Sequence, residues 1–335
     1  MQYVTLGKTG LRVAKLGFGG IPIQRIDAAG TRALVLAMRE QGINFIDTAR
    51  AYTVSEEYIG YALEGVRQDF VLATKSMARD KAGMARDIEQ SLRNLRTDHI
   101  DLYQVHNASV EQLKTVAAAG GALEALQEAK AAGKIGHIGV TAHAVEAFEY
   151  ALSLDWVETV MFPYNVVETQ GEDLLARCRA QNVGFIDMKP LAGGAIEDAA
   201  LAIRYVLQNE AVSVVIPGMA TAEELVQNVA AAENTAPLTA EEEGAIAHLR
   251  ETLGTQFCRR CNYCAPCAAG IAIPSVFLFE GYLSRYGLEQ WARERYAALP
   301  KKASACVECG ACETRCPYNL PIRRMMHAAA EKFGE

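Results

Sequence analysis

Up to about residue 235 the chain alternates short apolar runs, rich in β-branched residues, with longer stretches whose apolar positions recur at helical spacing. That alternation is the signature of strands and amphipathic helices wound around a parallel sheet. Eight such units can be counted, with strands near Lys15 to Gly19, Asn44 to Asp47, Phe70 to Lys75, Ile100 to His106, Ile138 to Val140, Thr159 to Phe162, Gly184 to Met188 and Val212 to Ile216. Between them, Gly30 to Glu40, Ala85 to Leu95, Gly121 to Ala132 and Thr221 to Ala232 are rich in Ala, Leu and Glu, and Gly42 and Gly133 stand where a helix stop is expected. Eight βα units predict a (β/α)8 TIM barrel. Ahead of them, Tyr3 to Leu6 and Leu11 to Val13 flank Gly7-Lys8-Thr9-Gly10 and read as a β-hairpin outside the barrel count.

After the barrel, Leu238-Thr239-Ala240-Glu241-Glu242-Glu243 starts a helix with a Thr cap and acids in its first turn, running to about Leu253. The pattern divides the chain into a barrel over 1–235, a linking helix over 236–253 and a small C-terminal domain over 254–335. Within the last, Phe277, Phe279, Tyr282, Tyr286 and Trp291 fall at spacings suited to a buried helical face. They read as core, because a small domain needs large side chains to bury enough area.

Two cysteine runs bracket that stretch: Cys258-x2-Cys261-x2-Cys264-x2-Cys267, and Cys306-x2-Cys309-x2-Cys312-x3-Cys316-Pro317. The second reproduces the spacing of bacterial ferredoxins, in which three closely spaced thiolates hold one 4Fe-4S cubane and the fourth reaches to a neighbouring cubane. Crossing the fourth ligands assigns Cys258, Cys261, Cys264 and Cys316 to one cluster, and Cys306, Cys309, Cys312 and Cys267 to the other. Paired CxxC units also make closed tetrahedral zinc sites, which is the alternative. Runs of four cysteines exceed a zinc half-site, and the Cys-Pro step favours iron-sulfur. The first run departs from the pattern in its last gap and in having Ala268 where proline is expected.

Composition narrows the function classes. The net charge of −7 disfavours nucleic acid or an anionic membrane as partner. No stretch reaches the roughly 20 apolar residues of a membrane span, and Met1 to Gly10 lacks a signal-peptide core. A cytoplasmic location is expected, in which metal ligation explains eight of the nine cysteines better than disulfides do. Cys178 reads as a helix-face residue.

In such a barrel, polar residues at the C-terminal ends of strands carry the chemistry. Asp47, Lys75 and His106 end the second, third and fourth strands, and Tyr52 follows Asp47 closely. Together they suit carbonyl reduction, which needs a proton delivered to the forming alkoxide. Tyr52 would supply it, Lys75 would favour the phenolate by its charge, Asp47 would fix Lys75, and His106 would orient the substrate oxygen. With these residues the chain resembles the aldo-keto reductases, through Asn44-Phe-Ile-Asp47-Thr-Ala-Arg-Ala-Tyr52, Leu72-Ala-Thr-Lys75 and Leu102-Tyr-Gln-Val-His106. Gly133-Lys-Ile-Gly-His-Ile-Gly139-Val-Thr141 and the cysteine tail make it similar to the ferredoxin-bearing branch of that family.

The resemblance implies a nicotinamide cofactor, NAD(H) or NADP(H), across the barrel mouth. The positions that would meet it are Thr141 and Met161 near the carboxamide, Met188 and Lys189 beside the ring, and Gly218, Glu224 and Asn228 near the adenine end. Met188 stands where an aromatic commonly stacks, and its polarizable thioether can cover a ring face. Glu224 falls where relatives grip a 2′-phosphate with basic residues, so NADH is favoured over NADPH. His143, Tyr164 and Asn165 also follow strands and are candidates to touch substrate. Gly17-Phe-Gly-Gly20 is too short for a dinucleotide fingerprint and reads as a turn.

The expected function is reduction of a small aldehyde or ketone, or the reverse alcohol oxidation, coupled to electron transfer through two 4Fe-4S clusters and a redox partner protein. Two alternatives stay open: a ferredoxin-like electron carrier whose barrel has lost hydride chemistry, and non-nicotinamide acid/base chemistry, such as dehydration or deglycosylation, in the barrel.

Overall fold

The computed structural model describes residues 1–335. It opens with an antiparallel hairpin, β1 (Tyr3–Thr5) and β2 (Arg12–Ala14), joined through a short 3-10 turn at Gly7–Thr9. Eight parallel strands follow: β3 (Phe18–Gly19), β4 (Phe45–Asp47), β5 (Val71–Ser76), β6 (Ile100–Val105), β7 (Ile135–Thr141), β8 (Thr159–Pro163), β9 (Gly184–Met188) and β10 (Val214–Ile216). Each pairs in sequence order with the next. The edges meet through bridges from Leu16 to Val215 and from Gly19 to Gly218, and the Gly17 N–H donates to Val215 O at 2.8 Å. This near-closure leaves little sheet edge exposed, which helps a set of such short strands to be stable.

All eight sequence-expected strands form. The first is shorter than its apolar run, because Leu16 and Gly17 serve the closing bridges rather than a continuous ladder. Helices lie between the strands, and Gly42 (φ 76°) and Gly133 (φ 74°) take the left-handed conformation that ends two of them. One helix begins at Lys81 rather than at Ala85, because the Asp80 side chain accepts the Gly83 N–H at 2.8 Å and caps it there.

Side chains on alternate strand positions fill the barrel interior: Phe45, Ala73, Leu102, Met161, Ile186, Met188, Val214 and Ile216 form one apolar cluster with Leu6 and Val13. The hairpin thus seals one end. It is the N-terminal end, since Lys8 N–H donates to Asn182 O just before β9 begins. The other end is left for chemistry. A larger apolar layer packs between the strands and the surrounding helices.

The chain divides into two compact units. The first holds Met1–Asn165, Thr169–Leu191 and Asp198–Leu238; the second holds Thr239–Glu335 together with the short segments Val166–Glu168 and Ala192–Glu197. The second unit is helical, with Ala240–Leu253, Ile273–Ser284, Glu289–Ala297 and Ile322–Phe333 as its longer elements. A capping box starts the first of these, Thr239 accepting from the Glu242 N–H while Glu242 accepts from the Thr239 N–H. Of the aromatic stripe, Phe277 and Tyr282 are buried and Phe279, Tyr286 and Trp291 half-buried; Tyr282 stacks on Trp291 at 4.5 Å and meets Tyr286 edge-on at 5.2 Å.

Glu158, at the head of β8, ties three barrel elements. It accepts from His137 Nδ1 at 2.7 Å, Lys130 Nζ at 2.6 Å and the Ile138 N–H at 3.0 Å. Burial opposes its charge, yet these donors prevail and hold its carboxyl down at about 2. A depressed folded pKa gives stability that is complete above the ordinary value of 4.5 and is lost as pH falls toward about 2. We predict that Glu158→Gln costs about 1–2 kcal/mol at neutral pH and little at pH 2. Urea denaturation at both pH values checks this, and an equal loss at each would contradict it.

Candidate active site and cysteine cavities

The site is built where β4, β5 and β6 end. β4 and β5 pair in parallel with Asp47 opposite Ala73, and Lys75 stands opposite Gln104 of β6. Lys75 and Asp47 are both 2% exposed. The Lys75 ammonium donates to Asp47 Oδ2 at 2.5 Å and to Thr48 O at 2.7 Å, and Gln104 Nε2 donates to Asp47 Oδ1 at 3.1 Å. Burial works against both charges, raising the Asp47 pKa and lowering that of Lys75, while their mutual attraction works the other way.

Tyr52 lies half-buried in the loop after β4. The Lys75 Nζ is 4.9 Å from its ring centroid, and the His106 imidazole meets the ring edge-on at 6.0 Å and 87°. His106 is held by its backbone, its N–H donating to Ser76 O at 2.9 Å and its carbonyl accepting from Arg79 Nη2 at 2.7 Å. Asp47, Lys75 and His106 from the strand ends and Tyr52 from the loop after β4 therefore converge. A phenol flanked by a fixed cation and an imidazole is suited to exchange a proton with a bound oxygen.

The other sequence candidates are spread around the strand ends. Thr141 is buried, and its hydroxyl accepts the Asn107 N–H at 2.7 Å, while His143 Nδ1 meets Asn107 Oδ1 at 2.9 Å. Met161 and Met188 belong to the packed interior. Asn165 is buried and donates to Lys189 O at 2.9 Å, with Lys189 in a left-handed conformation at φ 62°. Tyr164 sits in the layer between strands and helices, where it stacks on Tyr205 and donates to Glu172 at 3.0 Å. Gly218 is exposed but close to Pro22, whose Cγ would lie 2.6 Å from an added Cβ, so no larger residue fits without movement. Glu224 forms a capping box with Thr221 and accepts from the Ala220 N–H at 2.6 Å; Asn228 is buried one turn further along the same helix.

Sequence reasoning missed a buried polar network behind the tetrad. Glu56, 1% exposed, accepts from Arg50 Nη1 at 2.5 Å, Thr74 Oγ1 at 2.8 Å, Ser91 Oγ at 2.8 Å and Asn94 Nδ2 at 3.1 Å. A signal existed: Glu56 shares a helical face with Ile59 and Gly60, which is the inward face of Ser55–Ala62.

In the second unit the eight run cysteines form no disulfides and are distributed over two cavities. Cys258, Cys261, Cys264 and Cys316 line one, with Tyr318, Phe277 and Ile322 among its walls. Cys267, Cys306, Cys309 and Cys312 line the other, with Ile271, Ile273 and Met326. No cysteine is shared between them. Their thiols line space rather than meet at a point, since no three His, Cys, Asp or Glu side chains converge as a single ion requires. Cys178 is apart from both, buried on its helix with a thiol pushed up to about 12 by burial.

A nearly closed barrel with converging Asp, Tyr, Lys and His, in a chain that also carries two cavities lined by four cysteines each, defines an oxidoreductase with an iron-sulfur domain. Residues 15–200 match the Aldo/keto reductase family, and the chain belongs to it. Residues 257–321 match the 4Fe-4S dicluster domain. The chain is 28% identical over 290 residues to L-galactose dehydrogenase of Arabidopsis thaliana, covering 71% of this chain and 90% of that one. It is 32% identical over 194 residues to aldo-keto reductase YhdN of Bacillus subtilis, covering 52% and 56% of the two chains. Among solved structures, the holo form of aldo-keto reductase AKR11C1 from Bacillus halodurans superposes with TM-score 0.65 at 27% identity, over 74% of this chain and 96% of that one. The aldo-keto reductase from Klebsiella pneumoniae in complex with NADPH gives TM-score 0.63 at 27% identity, over 74% and 94%. No helix is long and apolar enough to cross a membrane.

Removing one member of the buried ion pair should cost more than removing both. Asp47→Asn leaves the Lys75 ammonium without its carboxylate and should lose about 3–5 kcal/mol, whereas Asp47→Leu with Lys75→Met should recover most of it. Denaturant midpoints of the variants test this, and a double variant no more stable than the single one would contradict it.

Proposed function

We propose that the barrel interconverts a small carbonyl compound and an alcohol, with Tyr52 as the proton-transfer group and a nicotinamide dinucleotide as hydride partner. The observation that supports this most is the Lys75 ammonium held 4.9 Å from the Tyr52 ring centroid while it is anchored on buried Asp47. In the reducing direction a bound nicotinamide would supply a hydride, two electrons with one hydrogen, to the carbonyl carbon. Tyr52 gives a proton to the carbonyl oxygen, so the C=O π bond is replaced by new C–H and O–H bonds and the product is the alcohol. Lys75 stabilises the phenolate left behind, His106 orients the oxygen, and Asp47 with Gln104 prevents the ammonium from swinging away.

The cofactor would lie along Thr141, Met161, Met188, Lys189, Gly218, Glu224 and Asn228, with His143 and Asn165 toward the substrate side; Tyr164, packed between strands and helices against Tyr205 and Glu172, is not among the substrate contacts. The fit is best at Asn228 and at the start of the Ala222–Glu233 helix. There the Glu224 carboxylate is already engaged by the Ala220 and Thr221 amides, which keeps its negative charge in place. A fixed carboxylate favours the ribose hydroxyl of NADH over the 2′-phosphate of NADPH.

Each cysteine set would hold one 4Fe-4S cluster, in the crossed arrangement that spacing expects and that the two cavities support. Two clusters storing one electron each match the two electrons of a hydride, and a partner protein would exchange them singly. The thiols themselves would act as thiolate ligands, with Phe277 in the wall of one set and Ile271 and Met326 in the wall of the other.

Tyr52→Phe should lower kcat/KM by about 100-fold or more for NADH-dependent reduction of a panel of small aldehydes and ketones. Retention of activity on a substrate the native enzyme reduces would sink the acid assignment. Lost nucleotide dependence, with acid/base turnover intact, would favour the non-nicotinamide reading instead. Glu224→Gln should leave the cap formed and shift the ratio of kcat/KM values toward NADPH; an unchanged ratio would remove Glu224 from nucleotide selection.

A further inference from the structure

The two cavities differ in the charge placed against them. Cys258 accepts a hydrogen bond from the Arg260 backbone N–H, so Arg259 and Arg260 lie in the turn that wraps its site. Arg260 (φ 61°) and Asn262 (φ 68°) take left-handed conformations, which coil this turn tightly around the thiols. The Arg260 guanidinium is matched by a carboxylate, Nη2 donating to Glu168 Oε1 at 2.9 Å, with the Glu168 side chain fully buried.

Arg259 is not matched in that way. It is 7% exposed, and all its hydrogen bonds go to carbonyls: Nε and Nη2 to Val167 O at 3.2 and 2.9 Å, Nη1 to Gly254 O at 2.6 Å and Phe257 O at 3.1 Å. Its guanidinium lies 4.0 Å over the Tyr318 ring. The carboxylate whose charge bears most on it is Glu168, already bound to Arg260; the other groups whose charge reaches it are Tyr318, Cys316 and Cys258. A buried cation served only by carbonyls costs several kcal/mol unless a counter-charge faces it. A 4Fe-4S cluster with four thiolates is that counter-charge: it is anionic when oxidised and one charge more negative when reduced.

At the other cavity the cations are less deeply buried: Arg315, half-buried in its wall, also donates only to carbonyls, Ala311 O at 2.9 Å and Pro266 O at 2.7 Å, but it keeps access to water that Arg259 lacks. Arg323 is bound to Glu313 at 2.8 Å and 45% exposed, Glu308 pairs with His327 on the surface, and Cys309 and Val307 are exposed. Water there screens what charge remains.

Building on the two-cluster reading, we propose that Arg259 sets the reduction potential of the cluster held by Cys258, Cys261, Cys264 and Cys316, its buried charge favouring the reduced state. The cluster of Cys267, Cys306, Cys309 and Cys312 lies outside its influence. Each reduction adds one electron and no proton, so the guanidinium acts through charge alone. The Arg260–Glu168 pair tempers it, and Glu168 therefore acts with opposite sign. The relay fills in order, the Arg259 site first.

The test is an EPR-monitored potentiometric titration of the full-length holoprotein, with iron and acid-labile sulfide counted in each sample. The native protein should carry two clusters with two resolved midpoints. Arg259→Gln should move the higher midpoint to more negative potential and leave the lower unchanged, Arg259→Lys should restore most of the shift, and Glu168→Gln should move the same midpoint positively. Equal movement of both midpoints, no movement, or the same sign for Arg259→Gln and Glu168→Gln would overturn the assignment. If Arg259→Gln loses iron, the sign of the Glu168→Gln shift decides. Iron and sulfide for fewer than two clusters in the native protein would overturn the two-cluster reading itself, a failure distinct from a midpoint that does not respond.

Discussion

The buried pair of Lys75 and Asp47 is the constraint on which the arrangement at the barrel's strand ends depends. An ammonium removed from water is tolerated only because a carboxylate and the Thr48 carbonyl receive it, and those partners fix its direction. Once fixed, it can address only what lies on its open side, and that is the Tyr52 ring. The strand register supplies the precision: Asp47 and Lys75 sit on adjacent parallel strands, and Gln104 on the next strand holds the second carboxylate oxygen. Behind this, Glu56 gathers Arg50, Thr74, Ser91 and Asn94 into a satisfied network. That network stiffens both the β5 strand bearing Lys75 and the segment that leads to Tyr52.

The second unit meets the same physical problem with a different solution. Its buried guanidinium ions, Arg259 and Arg260, lie in a turn that contributes thiols, and one fully buried carboxylate serves them. Charge left over in an apolar setting is either an error or a functional setting, and beside four thiols the second is the simpler account. The segments Val166–Glu168 and Ala192–Glu197, which follow β8 and β9 in the chain, belong to this unit. The polypeptide therefore passes between the two units more than once, and Val167 and Glu168 bring polar groups to the arginines from a distant part of the sequence.

Much of this was legible in the sequence, for reasons that differ by element. Parallel strands buried on both faces write themselves as apolar runs, so β4 to β10 were readable, whereas β3 was overestimated because closing bridges look like strand in sequence. The hairpin, the Thr239 cap and the aromatic stripe were local patterns and were found. The crossed grouping of cysteines followed from spacing and matches the two cavities. What could not be read was non-local. Gln104 and Glu56 gain their roles only when separate strands and helices converge, and Glu224, read in sequence only as a carboxylate near the nucleotide, proves also to close its own helix cap. Arg259 carries no motif at all; its meaning lies in having carbonyls where a carboxylate would be expected.

The central claim is that barrel and cysteine domain form one oxidoreductase, with nicotinamide chemistry and iron-sulfur clusters on a single electron path. Its most direct test is the visible and EPR spectrum of anaerobically purified protein before and after NADH and, separately, NADPH. The account predicts that NADH bleaches the clusters, one nucleotide oxidised with release of one proton for every two clusters reduced, and that NADPH does so less readily. Clusters that are present yet untouched by either nucleotide would contradict it.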